Sequence, residues 1–157
     1  MLEGNYTLII VDDFFVERES AREIIEQSDL PIEIVGEFEN GRQAVAFLRE
    51  NTVDMVLADI EMPIVNGLEM QRQLNDEGIE IDIIFFSLYN RFEYVQQALS
   101  LGAFGYVIKP IDPVELLEVF SRLLERKQQL KTEQQRLDKL LGQLEYAKPI
   151  LAQQFLM

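Results

Sequence analysis

The feature that most constrains the fold is a mostly apolar run over residues 53–59 that ends in a single acid, Asp59. Its length and branched side chains predict a strand buried on both faces, as in a parallel sheet. Pro63 lacks a backbone N–H and disfavours helix at Met62, so the strand has to end near Asp59. Open parallel sheets bind their ligands at the carboxyl ends of strands. Asp59 is therefore the first candidate site residue.

Four other segments have strand character, and each of the five is followed by a segment with helical spacing. The predicted strands are residues 6–11, 32–38, 53–59, 81–86 and 104–108; the predicted helices are residues 14–27, 41–50, 68–75, 91–100 and a last helix from 113 onward. Asp112 is the predicted N-cap of the last helix, and Gly102 is placed where a C′ glycine is expected. Five alternating units predict an α/β fold, a parallel sheet with helices on both faces.

Composition excludes several kinds of chemistry. The 157 residues include no cysteine and no histidine, which rules out thiol sites, imidazole ligands and a histidine base. The net charge is −14, and it is uneven: residues 126–157 carry +3 and residues 1–125 carry −17. A body that acidic is repelled by nucleic-acid phosphates. No long apolar run is present, so we expect a cytoplasmic protein without membrane contact.

Polar side chains stand at the carboxyl ends of four predicted strands: Asp12 and Asp13, Asp59, Ser87 and Lys109. Parallel strands bring these residues to one edge of the sheet. Three close carboxylates repel one another and need a cation, and hard oxygen ligands favour Mg²⁺. Such a site can bind a phosphoryl group, with a carboxylate as nucleophile.

With these residues in place, the sequence resembles the receiver domain of response regulators, the phospho-acceptor half of bacterial two-component signalling. The resemblance covers about residues 5–125 and is carried by residues 11–13, by residues 59–63 with Asn66-Gly67, by Ser87, and by residues 102–110. It implies a flavodoxin-like sheet of order 2-1-3-4-5 and a sensor histidine kinase as the partner that supplies the phosphoryl group.

The resemblance also implies a role for each site residue. Asp59 would be phosphorylated; Asp13, Asp59 and the Glu61 backbone carbonyl would hold Mg²⁺, and Asp12 would act on the metal through water. Ser87 and Lys109 would bind the phosphoryl group, and Tyr106 would move inward with Ser87 on activation. The Lys109–Pro110 peptide bond would be cis.

Two positions depart from the family pattern. Leu88 stands where the family usually has a small residue, and Tyr89 follows it, so we expect narrow access for water and a long-lived phosphoryl group on Asp59. Asn66 stands where an Asp is common, which should matter little because Asn tolerates the same turn geometry.

The C-terminal part has leucines seven residues apart, at positions 116, 123, 130, 137, 144 and 151. This heptad spacing predicts a coiled coil that continues the last helix, and we divide the chain into a receiver domain, 1–125, and a helical linker, 126–157. The other core positions are largely polar, so we favour a weak parallel homodimer, with antiparallel and domain-packed arrangements open. Pro149 predicts a kink or end near residues 147–148.

Residues 86–95 also resemble receivers joined to AraC-type DNA-binding domains through helical linkers. We therefore expect truncation before an effector domain, DNA binding only through that domain, and control of transcription as the output. Two alternatives stay open. One is a pseudo-receiver scaffold that dimerises through the tail; the other is a Mg²⁺-dependent aspartyl-phosphate hydrolase, which would need a cap that this short chain lacks. We expect a switch and not an enzyme.

Overall fold

The computed structural model describes residues 5–88 and 92–155, with side chains described as far as residue 145. Strands and helices alternate along these residues as β1 (Tyr6–Val11), α1 (Phe15–Glu26), β2 (Ile32–Phe38), α2 (Gly41–Glu50), β3 (Met55–Ala58), α3 (Gly67–Asp76), β4 (Asp82–Ser87), α4 (Phe92–Ser100), β5 (Gly105–Ile108) and α5 (Pro113–Phe155). All five predicted strands and all five predicted helices are present.

The strands form one parallel sheet in the order β2-β1-β3-β4-β5, which confirms the predicted order. The central strand β3 pairs with β1 and β4 in register, so Ala58 is opposite Val11 on one side and Phe85 on the other. All four β3 residues are buried, as the apolar run predicted. This register brings the residues that follow β1 and β3 side by side at the carboxyl edge of the sheet.

The ends of the elements follow local hydrogen bonds. Strand β3 begins at Met55, two residues later than predicted, because the Asp54 carboxylate accepts from the Thr7 amide at 2.8 Å. Asn66 caps α3 by accepting from the Glu69 amide at 2.9 Å, so this helix begins at Gly67. The Asp112 side chain accepts from the Val114 amide at 3.0 Å, which confirms the predicted cap of α5.

Among the residues that the structure describes, Gly78, Gly102 and Ile64 have left-handed backbone conformations. Gly102 follows α4 with φ +100° and its amide donates to the Leu99 carbonyl, the predicted C′ geometry. Ile64, in the loop after Pro63, has φ +69°, a conformation that a β-branched residue rarely adopts.

Helix α5 runs from Pro113 to Phe155. Of the predicted kink or end near Pro149, the end is therefore wrong, and the kink stays a prediction. A proline removes one backbone donor, and a helix can continue past it with a local bend. The side chains at this point lie outside the described part.

The chain divides into two compact units, residues 1–121 and 122–157. The first contains the sheet and a core of buried aliphatic and aromatic side chains; the second is a length of α5 whose residues are exposed from position 129 to 145. Whether a domain boundary falls at residue 125 stays a prediction. Among the helices that the structure describes, none combines the length and apolar character needed to cross a bilayer.

Candidate functional site

Three carboxylates meet at the carboxyl edge of the sheet. Asp12 and Asp13 follow β1 directly, and Asp59 follows β3, the neighbouring strand. One oxygen from each side chain lies within 4.8 Å of the others. Asp12 is completely buried, Asp59 is nearly so, and Asp13 is half-buried. The parallel sheet therefore brings together the acids that the sequence predicted.

Two of these carboxylates are held by backbone donors. The Phe14 amide donates to Asp12 Oδ1 at 2.9 Å, and the Ile60 amide donates to Asp59 Oδ1 at 2.7 Å. Asp13 differs, because its Oδ1 is buried and accepts no hydrogen bond from the described residues. A buried carboxylate oxygen without a donor is costly in protein alone and is suited to a cation.

Lys109 supplies a positive charge to the same site. It follows β5, its amide donates to the Ser87 carbonyl at 2.8 Å, and the peptide bond to Pro110 is cis, as predicted. The buried ammonium donates to Asp12 Oδ2 at 2.7 Å and to Asp59 Oδ2 at 3.3 Å. Lys109 therefore bridges the two most buried carboxylates.

The crowding of these groups shifts their pKa values. Burial raises the pKa of Asp59, and the neighbouring Lys109 charge opposes this rise only in part. Burial and then the Asp12 charge raise the pKa of Asp13. Burial alone would lower the pKa of Lys109, but the hydrogen bond to Asp12 and the surrounding carboxylates outweigh it and raise that pKa. The site thus has more negative charge than Lys109 balances.

The acid cluster fits Mg²⁺. The three carboxylates are hard oxygen ligands. The buried Oδ1 of Asp13 accepts no hydrogen bond from the described residues, so its lone pairs could bind a cation. Glu61 lines a cleft of about 430 Å³ together with Asp13, which places it beside the cluster. The role of its backbone carbonyl stays a prediction.

The predicted switch residues are also brought together. Ser87 is fully buried at the end of β4, and Tyr106 lies on the adjacent strand, opposite Phe85, where it is half-buried. Burial raises the pKa of Tyr106, and a hydrogen bond between the tyrosine and the Ser87 side chain acts in the opposite direction. Leu88, the next residue, is 67% exposed, and Tyr89 lies outside the described residues.

Three residues near the site were not predicted from the sequence. Arg18 on α1 donates from Nη1 to the Asp12 carbonyl at 2.5 Å, and its Nε is 3.5 Å from Glu37 Oε1. Glu17 Oε2 lies 3.9 Å from the Lys109 ammonium, and Tyr94 Oη donates to Glu61 Oε1 at 3.5 Å. The inward position of Arg18 has a sequence signal, because it shares a helical face with Ala21 and Ile25.

Comparisons with known proteins give a consistent family. The chain matches the response regulator receiver domain over residues 8–121. The nitrate/nitrite response regulator protein NarL of Escherichia coli K12 is 34% identical over 112 residues, 71% of this chain and 51% of that protein. The transcriptional regulatory protein BtsR of the same strain is 38% identical over 117 residues, 74% of this chain and 47% of that protein.

Solved structures agree in fold. The response regulatory domain of mrkE from Klebsiella pneumoniae has a TM-score of 0.72 at 27% identity, covering 78% of this chain and 98% of that one. A CheY-like receiver domain from Methanospirillum hungatei has a TM-score of 0.70 at 24% identity, covering 80% of this chain and 98% of that one.

The chain spans about half the length of the curated relatives it matches. These relatives leave the resemblance to the AraC-linked subgroup untested, and it stays a prediction. The family match covers most of the chain and the residues of the acid cluster. The chain therefore belongs to the response regulator receiver domain family.

Proposed function

We propose that this chain is a Mg²⁺-dependent phospho-acceptor switch in which Asp59 accepts a phosphoryl group from a phosphohistidine of a sensor histidine kinase. The observation that carries this proposal is the placement of the buried Asp59 carboxylate within reach of Asp12, Asp13 and Lys109. An acceptor of phosphate needs both a nucleophilic oxygen and groups that neutralise the incoming negative charge. This site offers both.

The transfer balances without a further reactant. A carboxylate oxygen of Asp59 attacks phosphorus, the P–N bond of the phosphohistidine breaks, and the imidazole leaves with the electron pair of that bond. Asp13, Asp59 and the Glu61 carbonyl would hold Mg²⁺, with Asp12 acting through water, and the metal would neutralise phosphoryl oxygens. Lys109 is already within hydrogen-bond distance of Asp59, so it needs little movement to meet the phosphoryl group.

Ser87 and Tyr106 would convert the new charge into a change of surface. A phosphoryl group on Asp59 offers acceptor oxygens to the Ser87 hydroxyl, in competition with its hydrogen bond to Tyr106. Tyr106 is half-buried and adjoins the core, so an inward movement would rearrange its surroundings. Moving such a two-state equilibrium from 1:99 to 99:1 requires about 5.5 kcal/mol of differential stabilisation.

The output we propose is altered self-association, with the C-terminal helix as the homodimer contact, and control of transcription in the cytoplasm. Two observations support it: the tail exposes leucines at heptad spacing, and relatives such as BtsR are transcriptional regulatory proteins by name. DNA binding would require an effector domain outside residues 1–157, because the charge of −17 on residues 1–125 repels phosphates.

Intact mass after incubation with Mg²⁺ and a small acyl phosphate tests the proposal. We expect wild type to gain one phosphoryl mass and Asp59→Asn to gain none. Asp76→Asn is the matched control, because Asp76 is an exposed aspartate at the end of α3. An adduct that survives in Asp59→Asn would contradict Asp59 as the acceptor, and no adduct with any donor would favour the scaffold instead. Continuous release of phosphate at many turnovers per minute would favour the hydrolase.

A further inference from the structure

The second half of α5 exposes a stripe of leucines that its own unit leaves uncovered. Five leucines between residues 130 and 144 are 43% to 60% exposed: Leu130, Leu137, Leu140, Leu141 and Leu144. Four of them occupy the a and d positions of consecutive heptads, so they lie along one side of the helix. An exposed apolar stripe of this kind marks an interaction surface. We call residues 126–145 the tail segment.

We propose that the tail segment is covered by the same segment of a second copy of this chain, running antiparallel. This inference rests on the self-association proposed above, and it replaces the parallel arrangement that we favoured from the heptads with the antiparallel one. The argument comes from the order of charges along the segment.

Charge is distributed unevenly along the tail segment. Its beginning carries only basic residues, namely Arg126, Lys127 and Lys131, and every acid follows them: Glu133, Asp138 and Glu145. Two further basic residues, Arg136 and Lys139, lie among the acids, outside the a, d, e and g positions. In a parallel pair, each a or d residue faces its own equivalent in the second copy. Each g residue faces the e residue five positions later in the second copy. That arrangement sets Arg126 against Lys131, Glu133 against Asp138, and Lys127 against itself. All three contacts are between like charges.

An antiparallel pair removes these contacts. The register that puts Leu130 opposite Leu141 of the second copy also puts Gln134 opposite Leu137 and Lys127 opposite Leu144. In this register the flanking Lys131 meets Asp138 of the second copy, and symmetry makes this pair occur twice. Lys127 is also near Glu145 of the second copy, because Glu145 is next to Leu144, the residue opposite Lys127. This register therefore removes the like-charge contacts of the parallel pair and replaces them with the attractive Lys131–Asp138 pair.

Neighbouring antiparallel registers are worse. A shift of one heptad in one direction brings Lys131 opposite its own equivalent. A shift in the other direction pairs Lys131 with Glu145 of the second copy, but it brings Asp138 opposite its own equivalent. Of these registers, the one that pairs Lys131 with Asp138 is the one without a like-charge contact between the flanking positions.

Cysteine cross-linking in the full-length chain tests the orientation, because the sequence contains no cysteine of its own. We would prepare Lys127→Cys and Leu144→Cys separately, with tags of different mass, and oxidise each alone and the two mixed. In the antiparallel pair the two equivalent positions 127 are about 25 Å apart along the axis, whereas position 127 faces position 144. We therefore expect a cross-link in the mixture and little in either variant alone.

Thr132→Cys is the matched control, because position 132 is on the outer side of the helix in either orientation. Cross-links in each single variant alone would overturn the proposal in favour of a parallel pair. No cross-link in any mixture would overturn the second copy as the occupant and favour packing on another domain. Phosphoryl uptake by Asp59 is measured separately, so these failures are distinct from failure of the switch.

Charge reversal is an independent test, because it should change the dimer dissociation constant in opposite directions for the two orientations. Lys131→Glu turns both Lys131–Asp138 contacts into repulsion in the antiparallel pair, and we expect a dimer dissociation constant roughly tenfold higher. In a parallel pair the same change turns Arg126–Lys131 into an attraction and lowers that constant. The double variant Lys131→Glu with Asp138→Lys should restore antiparallel association.

Lys139→Glu makes the same change of charge on the outer side of the helix and serves as the control in sedimentation equilibrium. A tighter dimer for Lys131→Glu, or equal weakening by the control, would contradict the antiparallel register.

Discussion

Lys109 is the residue on which the electrostatics of the site depend. It is buried beside Asp12, which is completely buried. Among the described residues, removing it would leave the Asp12 carboxylate with the Phe14 amide as its donor. Removing one partner of a buried ion pair typically costs about 3–5 kcal/mol. We expect Lys109→Met to lose stability on this scale in metal-free denaturant titrations, and added Mg²⁺ to restore part of it.

Lys139→Met is the control for this change, because Lys139 is exposed in the tail and its loss should alter stability by less than about 0.5 kcal/mol. Equal losses in the two variants would show that the Lys109 contacts contribute nothing beyond a surface charge.

Leu88 tests the predicted lifetime of the phosphoryl group. Its side chain is 67% exposed beside the buried Ser87, so Leu88→Ala should leave the fold intact. If Leu88 narrows access for water, the variant loses its phosphoryl mass severalfold faster after donor removal. Leu99→Ala, another exposed leucine, is the control. A half-life that Leu88→Ala leaves unchanged would refute the role of this residue.

Ile64 stores strain in the loop that leads from Asp59 to α3. Its φ of +69° is unfavourable for a β-branched residue, and its side chain is exposed, so little packing compensates. Ile64→Asn should therefore raise the free energy of unfolding by about 1 kcal/mol, since Asn tolerates this conformation. A loss of stability in thermal unfolding would mean that the isoleucine makes a compensating contact.

At the scale of elements, the close approach of α3 to β3 shapes the acceptor loop. A Cβ at Gly67 would overlap the Asp59 carbonyl oxygen and lie 2.7 Å from Phe85 Cε1. We expect Gly67→Ala to cost about 1–3 kcal/mol and to slow phosphoryl uptake, because the added methyl group displaces the backbone at Asp59.

Gly142→Ala provides the contrast, since nothing lies within 4 Å of the added atom and alanine favours helix by up to about 1 kcal/mol. Helix content and unfolding midpoint should not fall in this variant. A Gly67→Ala protein as stable as wild type would show that α3 can shift freely.

Strand and helix identities were predictable because apolar periodicity and caps act locally. Asp112 and Gly102 show this, since each has the capping geometry that its neighbours predicted. The end predicted at Pro149 was wrong because one missing donor does not by itself stop a helix. Arg18 and Tyr94 were missed because their partners, Asp12 and Glu61, come from other elements.

At the scale of the whole molecule, protons and Mg²⁺ compete for the same carboxylates at the site. The pKa values of Asp13 and Asp59 are raised in the folded chain, so the folded state takes up protons at higher pH than the unfolded chain does. Metal-free stability should therefore gain from these two groups as pH falls from their raised values toward the ordinary value near about 3.9.

The stabilisation by Mg²⁺ should depend on pH in the opposite direction, because Mg²⁺ binds the ionised carboxylates. At a concentration about 100 times its dissociation constant it would add about 2.7 kcal/mol at neutral pH, and this gain should shrink as pH falls through the same window. Thermal midpoints with and without Mg²⁺ measure it, with Asp59→Asn as the variant that loses most of the gain. A Mg²⁺ effect independent of pH would contradict binding at these acids.

The site as a whole was predictable because parallel strands bring their carboxyl ends to one edge of the sheet. Residues from four strands therefore meet at this edge: Asp12, Asp13, Asp59, Ser87 and Lys109. The tail was less predictable, because heptad spacing specifies a contact face but not its orientation. The orientation that we propose rests on the order of charges between the leucines, above all on Lys131 and Asp138.

The most direct test of the central claim is to locate the phosphoryl group on the chain. Borohydride reduces an acyl phosphate of aspartate to homoserine, and trypsin separates Asp59, in residues 50–72, from Asp12 and Asp13, in residues 1–18. After reaction with an acyl phosphate and Mg²⁺, we expect homoserine at position 59 in fragment spectra, and none when Mg²⁺ is omitted. Homoserine at position 12 or 13, or in no peptide, would contradict the assignment of Asp59 as the phospho-acceptor.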